Sequence, residues 1–380
     1  MLNDERILAT FLELVRIHGP SGRERAVADY VKTKLSEINP GIEISEDSAG
    51  IATGGDCGNI IARVPACGRD VPPLLFAAHM DTVPLSEPVR PAVENGIVRS
   101  AGATILGADD RSGVTVLLEG VRALREMELQ HGPLELVFTV SEETELAGAK
   151  NLDFDSLKST EGYVFDNSEP FRIVCGAPSK NAVTFKVLGR GGHAAAAQKA
   201  INPIVIAARG IAAMPVGAPY EDTTCSVGVI RAGTAVNVIP DVAEVFCEVR
   251  SHSEDRLREI TKKVVSSVTD AISEAEQPES GGGEPPARVD VEVRRCYSSY
   301  RVREDEPALA RARAAMKTLG LEPVTHVGQG AQDANVFNLH GVRSVALGAG
   351  AYRPHSEDEY LKVEELVQGV ELFVALTQIA

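Results

Sequence analysis

The sequence predicts an α/β protein, in which a mixed, mostly parallel sheet forms the larger domain and a smaller α+β domain is inserted into it. The chain has 380 residues, more than the roughly 100 to 200 of a usual single domain. Aromatic residues make up only 4% and Trp is absent, so the core must consist mainly of aliphatic side chains, as in parallel sheets. Short apolar runs also alternate with segments of helical periodicity.

The larger domain is expected to begin with two amphipathic helices. Apolar residues recur at helical spacing from Asn3 to His18, and the capping-box pattern at Ser21–Glu24 predicts the start of the second helix. A third helical pattern covers Val114–Met127, and the last covers Val363–Gln378. Four apolar runs read as buried strands: Leu74–Ala78, Leu134–Val140, Tyr163–Phe165 and Ser344–Leu347.

The interval 177–297 has a different order of elements, βαββαβ, which is typical of the ferredoxin-like fold. Its predicted elements are a strand at Asn181–Leu188, a helix at Asn202–Met214, strands at Thr224–Arg231 and Ala243–Arg250, a helix at Glu254–Glu276 and a strand at Ala287–Cys296. We call this interval the lid; the larger domain is then 1–176 with 298–380. The glycine- and proline-rich stretch Gln277–Pro286 is expected to be a surface loop of the lid.

Composition argues against several classes of partner. The formal net charge is −16 without any basic run, so nucleic acid and anionic membrane surfaces are not expected to bind. No run approaches the roughly 18 apolar residues of a membrane span, and the N-terminus lacks the pattern of a signal peptide. The six cysteines form no CxxC pair and are expected to be reduced thiols. We therefore expect a cytoplasmic protein.

Residues of metal-ligand type follow each of the four apolar runs. They are His79 with Asp81, Glu142 with Glu143, Asp166 and, across a glycine-rich turn, His355. In open α/β sheets the ligand crevice lies at the carboxyl ends of the strands, so we expect these side chains to meet at one rim. A structural cause for this placement is hard to find, because a buried unpaired carboxylate is costly unless a cation neutralises it.

The set of side chains predicts two divalent metal ions. Imidazole and carboxylate ligands without thiolate suit Zn, Mn or Co, and there are more of them than one tetrahedral ion needs. Paired ions about 3.5 to 4 Å apart hold a bridging water and polarise a carbonyl or phosphoryl oxygen. In a strand His79 and Asp81 face the same side, so Asp81 can fix the imidazole tautomer. One of the two adjacent glutamates can bind metal while the other acts as a base.

Five motifs, in this order, resemble the di-zinc peptidase family that contains peptidase T, aminoacylase and succinyl-diaminopimelate desuccinylase, with the peptidase T branch closest. The motifs are His79–Pro84, Thr104–Gly113, Ser141–Glu143, Asp166 and Pro354–Ser356. The resemblance implies that His79 and Asp166 bind one metal ion, that Glu143 and His355 bind the other, and that Asp109 bridges them. It also makes Glu142 the general base, while Asp81 keeps its orienting role.

Three lid residues resemble family residues that contact substrate. His193 corresponds to a histidine that steadies the oxyanion, and Asn237 and Arg250 correspond to residues that hold a substrate carboxylate. The sequence departs from the family near these motifs: alanines follow His193, Arg111 replaces the usual lysine, and Ala331–Gln332 replace a glycine and a serine. These departures leave the metal-ligand motifs intact.

The function expected from the sequence is that of a metal-dependent exopeptidase, an aminopeptidase that releases the N-terminal residue of short peptides such as tripeptides. In this reading Glu142 activates a water that bridges the metals. One alternative is an amidohydrolase or carboxypeptidase acting on N-acyl amino acids or other small amides, since fold does not decide substrate. A second is a non-catalytic metal or peptide binder. Exposed edge strands of such lids also suggest a homodimer formed through the lid.

Overall fold

The computed structural model describes residues 2–275 and 286–379. The chain divides into two units, Met1–Ala177 with Tyr300–Ala380, and Pro178–Ser299. The sequence patterns predict divisions after residues 176 and 297. Apart from Pro286, the loop predicted at 277–286 lies outside the described residues.

The described residues form ten α-helices and two short 3₁₀ segments. The helices are α1 (Asp4–Leu14), α2 (Arg25–Ile38), α3 (Ala49–Thr53), α4 (Ala108–Glu126), α5 (Ala147–Lys150), α6 (Pro203–Ala213), α7 (Glu254–Ser273), α8 (Pro307–Thr318), α9 (Asp333–Leu339) and α10 (Val363–Gln378). The 3₁₀ segments are Phe154–Ser156 and Ala194–Lys199.

The strands of the larger unit are β1 (Glu43–Glu46), β2 (Ile60–Val64), β3 (Leu74–His79), β4 (Pro91–Glu94), β5 (Ile97–Ser100), β6 (Leu134–Thr139), β7 (Glu161–Phe165), β8 (Arg172–Val174), β9 (Gly176–Ala177), β17 (Tyr300–Arg301), β18 (Val324–His326), β19 (Arg343–Leu347), β20 (Ala351–Tyr352) and β21 (Tyr360–Lys362). The strands of the inserted unit are β10 (Ser179–Leu188), β11 (Gly192–His193), β12 (Gly217–Tyr220), β13 (Thr223–Ala232), β14 (Val238–Ile239), β15 (Val242–Ser251) and β16 (Arg288–Tyr297).

The larger unit is built on a mixed sheet of eight strands in the order β1-β2-β6-β3-β7-β19-β8-β18. The four apolar runs of the sequence are its four central neighbours β6, β3, β7 and β19. Each neighbouring pair among these four is parallel. The predicted α/β class is therefore confirmed, and the carboxyl ends of the four strands lie at one edge of the sheet.

Both faces of the central strands are covered. Every residue of β3 and β6 is buried, which explains why both strands are mainly apolar in the sequence, with Glu135 of β6 as an exception. On one face Phe76 stacks on Tyr163 with ring centroids 5.5 Å apart and contacts Phe373 of α10 at 4.2 Å. Burying one such ring contributes roughly 1.5 to 3 kcal/mol, so this aromatic cluster anchors α10 on the sheet.

The capping box predicted at the start of the second helix is wrong. The helix α2 starts at Arg25, and the side chain of its N-cap residue Glu24 makes no capping hydrogen bond. Instead the Ser21 hydroxyl donates to Asp81, and one Glu24 carboxylate oxygen accepts hydrogen bonds from Gly22 and Ser141. A buried carboxylate is costly without hydrogen-bond donors, whereas the free backbone N–H groups at a helix end can hydrogen-bond to water.

The inserted unit contains the predicted βαββαβ order, formed by β10, α6, β13, β15, α7 and β16. Its antiparallel sheet has the order β12-β13-β15-β10-β16, as a ferredoxin-like unit with one added hairpin strand would. Along β15 buried and half-buried residues alternate, because one face packs on the helices α6 and α7. The short strands β11 and β14 pair separately and hold His193 beside Val238.

Within the described residues, no helix is both long enough and apolar enough to cross a membrane. The six cysteines are free thiols; five are buried and Cys67 is exposed. Burial raises the pKa of the Cys57 and Cys247 thiols to about 12, so both stay protonated near neutral pH.

Candidate metal centre

The carboxyl ends of the central strands bring the predicted ligand residues together. His79 is the last residue of β3, and Asp166 follows directly after β7. Glu142 and Glu143 come shortly after β6, and Asp109 lies at the start of α4, where its φ and ψ are not helical. His355 lies in the loop that joins β20 to β21. The larger unit therefore places all of these residues around one edge of its sheet.

The imidazole of His79 is buried and held on both sides. Its Nδ1 lies 3.0 Å from the Asp81 carbonyl oxygen and 3.3 Å from the Asp81 carboxylate. Its Nε2 lies 3.0 Å from Asp109 and 4.0 Å from Asp166. A proton on Nδ1 facing Asp81 leaves Nε2 free to bind a metal, which is the arrangement the HxD spacing predicts.

The second histidine, His355, is half-exposed and contacts two carboxylates. Its Nε2 lies 2.7 Å from Glu143 and 3.4 Å from Asp109. Hydrogen bonds to Asp109 and Glu143 raise the pKa of His355 to about 10 in the metal-free protein. The proton here occupies the space between ligand atoms that a metal ion would take.

Two groups of ligand atoms share Asp109. The atoms of His79, Asp109 and Asp166 lie within 4.8 Å of one another, and so do those of Asp109, Glu143 and His355. Two neighbouring ions linked by one carboxylate would use this pattern. His79, Glu142 and Glu143 form a further group within the same distance, so both glutamates face the centre.

The charge of the centre fits cations. Burial raises the pKa of Asp166 well above its ordinary value, and the nearby Asp109 raises it further. Burial likewise raises the pKa of Glu142, as do Asp333 and Glu143. A carboxylate pushed toward its neutral form by burial and by like charge regains its charge when a divalent ion enters. The donor set of imidazoles and carboxylates therefore fits divalent metal ions.

Asp81 connects the imidazole to the two glutamates. Its carboxylate accepts hydrogen bonds from the backbone N–H of Glu142 at 2.9 Å and of Glu143 at 3.2 Å. The Ser21 hydroxyl donates to the same group at 2.6 Å. Asp81 therefore orients His79 and fixes the segment that carries both glutamates.

Several supporting residues were not identified from the sequence. Asp110 accepts hydrogen bonds from the backbone N–H of His79 and of Gly113, and it is fully buried beside Asp109. Arg111 is also buried and donates to the carbonyl oxygens of Met80 and Gly19. The departure at Gln332 also has a role, because its side-chain amide donates to the carbonyl oxygen of the predicted ligand residue Asp166.

Glu359 is a further buried acidic residue of the centre that sequence reasoning missed. Burial raises the pKa of its carboxyl group to about 7, although backbone N–H donors oppose the shift. In the sequence, Glu359 is recognisable only as an acidic residue four positions after His355. It cannot be distinguished there from the exposed Glu357 and Asp358 that precede it.

A cavity of about 410 Å³ opens beside the ligand residues within the larger unit. Its wall away from the ligands is mainly polar and contains Glu169, Arg172, His326 and Gln329. Arg172 and Glu169 form an ion pair at 3.2 Å. The volume falls in the range of sites for small ligands, which run from about 300 to 1,000 Å³.

The three predicted substrate residues lie in the inserted unit. The backbone near His193 and Asn237 is joined, since the Ala194 N–H donates to the Asn237 carbonyl oxygen at 3.0 Å. The His193 ring accepts a hydrogen bond from the Ala195 N–H at 3.1 Å. Arg250 lies on β15, and its guanidinium pairs with Glu248 through Nε at 2.8 Å and Nη2 at 3.3 Å.

Comparison with known proteins gives consistent matches along the whole chain. A family model described as Peptidase family M20/M25/M40 matches residues 75–378. The chain is 32% identical over 380 residues to the uncharacterized protein YqjE of Bacillus subtilis, covering 100% of this chain and 99% of that relative.

Two solved structures are also similar. One is the aminopeptidase PepT from Bacillus cereus, with 32% identity, a TM-score of 0.87 and coverage of 99% of this chain and 98% of that one. The other is a tripeptidase from Staphylococcus aureus, with 30% identity, a TM-score of 0.91 and coverage of 100% and 98%.

Proposed function

Because the chain belongs to peptidase family M20/M25/M40 and is a peptidase T-like metallopeptidase, we propose that it is an aminopeptidase that releases the first residue of short peptides such as tripeptides. The observation that carries this proposal is the pair of ligand groups that share Asp109 at the strand ends. The direction of cleavage is supported by the similar aminopeptidase, and the short substrate by the similar tripeptidase; each is similar over nearly its whole length.

In this proposal two divalent ions, zinc first and manganese or cobalt as alternatives, are held by five residues. His79 and Asp166 would hold one ion and Glu143 and His355 the other, while Asp109 belongs to both groups and would serve both ions. When bound, such a pair lowers the pKa of water and polarises the substrate carbonyl. Asp81 keeps the Nδ1 proton of His79 in place, so that Nε2 remains a ligand.

Glu142 is the general base of the proposed reaction. Its carboxylate takes a proton from the attacking water and passes it to the amine that leaves. The hydrogen bond from its backbone N–H to Asp81 fixes its position on the segment after β6.

The lid residues would recognise the remainder of the peptide. We assign His193 to the oxyanion of the tetrahedral intermediate, and Asn237 and Arg250 to the far carboxylate. The bidentate pairing of Arg250 with Glu248 holds its guanidinium in a fixed orientation on the strand β15. If these residues bind the C-terminal carboxylate, only peptides whose C-terminus reaches them can be held at both ends, which would limit the length of the peptide.

We also propose that two copies pair through the lid. The hairpin strand β12 pairs with β13 only between Thr223 and Cys225, and on that side the rest of β13 has no strand partner among the described residues. Val229 and Ile230 are 42% and 49% exposed on this edge. An apolar edge strand of this kind is suited to pairing with a second copy.

A cytoplasmic location is also proposed, supported by the free thiols.

A substrate screen tests the aminopeptidase proposal. The purified protein is loaded with zinc, manganese or cobalt and incubated with tripeptides, N-acetylated tripeptides and N-acyl amino acids, and products are identified by mass spectrometry. We expect release of the first residue from free tripeptides and no release from the acetylated ones. Faster cleavage of N-acylated substrates would favour the amidohydrolase or carboxypeptidase alternative, and bound metal without any hydrolysis would favour the non-catalytic binder.

A further inference from the structure

Glu359 is a buried carboxylate at the centre that the proposed mechanism does not use. Its side chain is 1% exposed, and it is the last residue of the loop between β20 and β21. One carboxylate oxygen accepts the backbone N–H of Gly107 at 2.7 Å, and the other accepts the N–H of Asp109 at 3.0 Å. A single side chain therefore holds the backbone on both sides of Ala108.

The two N–H groups that Glu359 accepts lie where the chain turns into α4. Gly107 has φ 72°, a left-handed conformation that glycine adopts without strain. Backbone N–H groups at the start of a helix have no partner within the helix. Glu359 supplies the partner, so the turn that presents Asp109 is held by a side chain from a distant part of the sequence.

Glu359 is itself fixed by the strand that follows it. Tyr360 pairs with Arg99 of β5 and with Tyr352 of β20, and Leu361 is fully buried. The same loop supplies His355, whose Nε2 lies 3.4 Å from the Asp109 carboxylate. One loop therefore holds Asp109 twice, through its backbone and through its side chain.

We propose that Glu359 is a positioning residue that holds Asp109 where its carboxylate faces both His79 and His355, and that it thereby sets the affinity of the centre for its metal ions. This inference rests on the metal centre assigned under the proposed function. The Glu359 carboxylate is not a metal ligand in this role. It acts through the backbone N–H of Asp109. Residues that orient metal ligands typically change metal affinity by about 10- to 100-fold when they are replaced.

The test is a zinc titration in competition with a chromophoric chelator, on the full chain. Glu359→Gln keeps the size of the side chain but can accept only one of the two N–H groups, because its amide nitrogen is a donor. We expect a 10- to 100-fold loss of zinc affinity for at least one ion. Glu359→Asp keeps both acceptor oxygens on a shorter side chain and should give an intermediate loss. The matched control is Glu357→Gln, which removes a charge from an exposed position of the same loop.

Thermal unfolding of the metal-free variants separates positioning from a general structural role. A positioning role predicts weaker zinc binding by variants that remain folded well above the assay temperature, and peptide turnover that recovers at high zinc with an unchanged KM. Equal zinc affinity for wild type and both Glu359 variants would overturn the inference. The inference would also be wrong if all three variants lost affinity equally. If the wild type itself bound no zinc, the proposed metal centre would fail first.

Discussion

At the scale of single residues, the two adjacent glutamates after β6 have different partners. The Glu143 carboxylate lies 2.7 Å from His355, in the ligand group that includes Asp109. The backbone N–H groups of Glu142 and Glu143 both donate to Asp81, so a change in either side chain leaves the segment held. These contacts allow the proposed role of Glu142 as the base and that of Glu143 as a metal ligand to be tested separately by mutation.

We expect Glu142→Gln to keep both metal ions and substrate binding but to lower kcat by about 10²-fold or more, because the general base is lost. Glu143→Ala should instead lower the metal content. The measurements are steady-state kinetics and elemental analysis of the two purified variants. Near wild-type turnover in Glu142→Gln would mean that another group is the base.

Arg250 allows a second prediction at this scale. If its guanidinium reads the peptide's C-terminal carboxylate, amidating the C-terminus of a tripeptide should cost about 1.5 to 3 kcal/mol in kcat/KM, the scale of a charged hydrogen bond. The penalty should largely vanish in Arg250→Gln. Arg209→Gln, at an exposed position of the lid helix α6, is the control and should keep it. If amidation cost the same in the wild type, Arg250→Gln and Arg209→Gln, Arg250 would be excluded as the residue that binds the C-terminal carboxylate.

The residues predicted from the sequence and those that were missed differ in one physical respect. His79, Asp166 and the two glutamates follow buried apolar runs, so their placement is visible along the chain. Glu359 and Glu24 act by accepting backbone N–H groups from distant segments, and such pairings depend on the tertiary fold. Both residues have exposed acidic or polar neighbours in the sequence, so no apolar pattern indicates that they are buried.

At the scale of elements, α2 is tied to the edge of the sheet by an ion pair. Arg25 of α2 contacts the Glu46 carboxylate of β1 at 2.6 and 2.9 Å, and Lys32 contacts it at 3.2 Å. The hydrogen bond from Arg25 lowers the pKa of Glu46 from 4.5 to about 2, against the opposing effect of burial. A lowered pKa means that the folded state favours the charged carboxylate.

This pair predicts a pH-dependent effect on stability. Glu46 stabilises the fold above its unfolded pKa of about 4.5, and the contribution is lost as the pH falls toward 2. At pH 7 we expect Glu46→Gln to lower the free energy of unfolding by about 1 to 2 kcal/mol, allowing for partial solvent screening. Urea unfolding at pH 7, 5 and 3.5 should show the difference shrinking. Glu37→Gln, exposed on α2, should be neutral, and a Glu46 effect that grew on acidification would contradict the assignment.

The predicted and observed elements agree best where burial is complete. The four central strands and α10 appear as predicted, because a strand or helix covered on its inner side must be apolar there. The order of the strands in the sheet was not predictable from these runs, since neighbours such as β7 and β19 are far apart in sequence. The first helix ends at Leu14, although its periodic pattern continues to His18.

At the scale of the whole molecule, the chain combines a mixed sheet that carries the predicted ligand residues with a ferredoxin-like unit that has its own core. The inserted unit, Pro178–Ser299, lies in the long interval between Asp166 and His355. The proposed pairing through the lid predicts a dimer by light scattering, and Ile230→Lys on the open edge of β13 should give a monomer that still binds metal. A monomeric wild-type protein would exclude this pairing.

We propose that the five predicted ligand residues form one centre for two ions, which would share Asp109. The most direct measurement is elemental analysis of the protein after reconstitution with zinc and removal of unbound metal. We expect about two ions per chain in the wild type and nearly complete loss in the double variant Asp109→Ala, His355→Ala, because the shared ligand is removed. A wild-type content near zero, or two ions retained in the double variant, would contradict it.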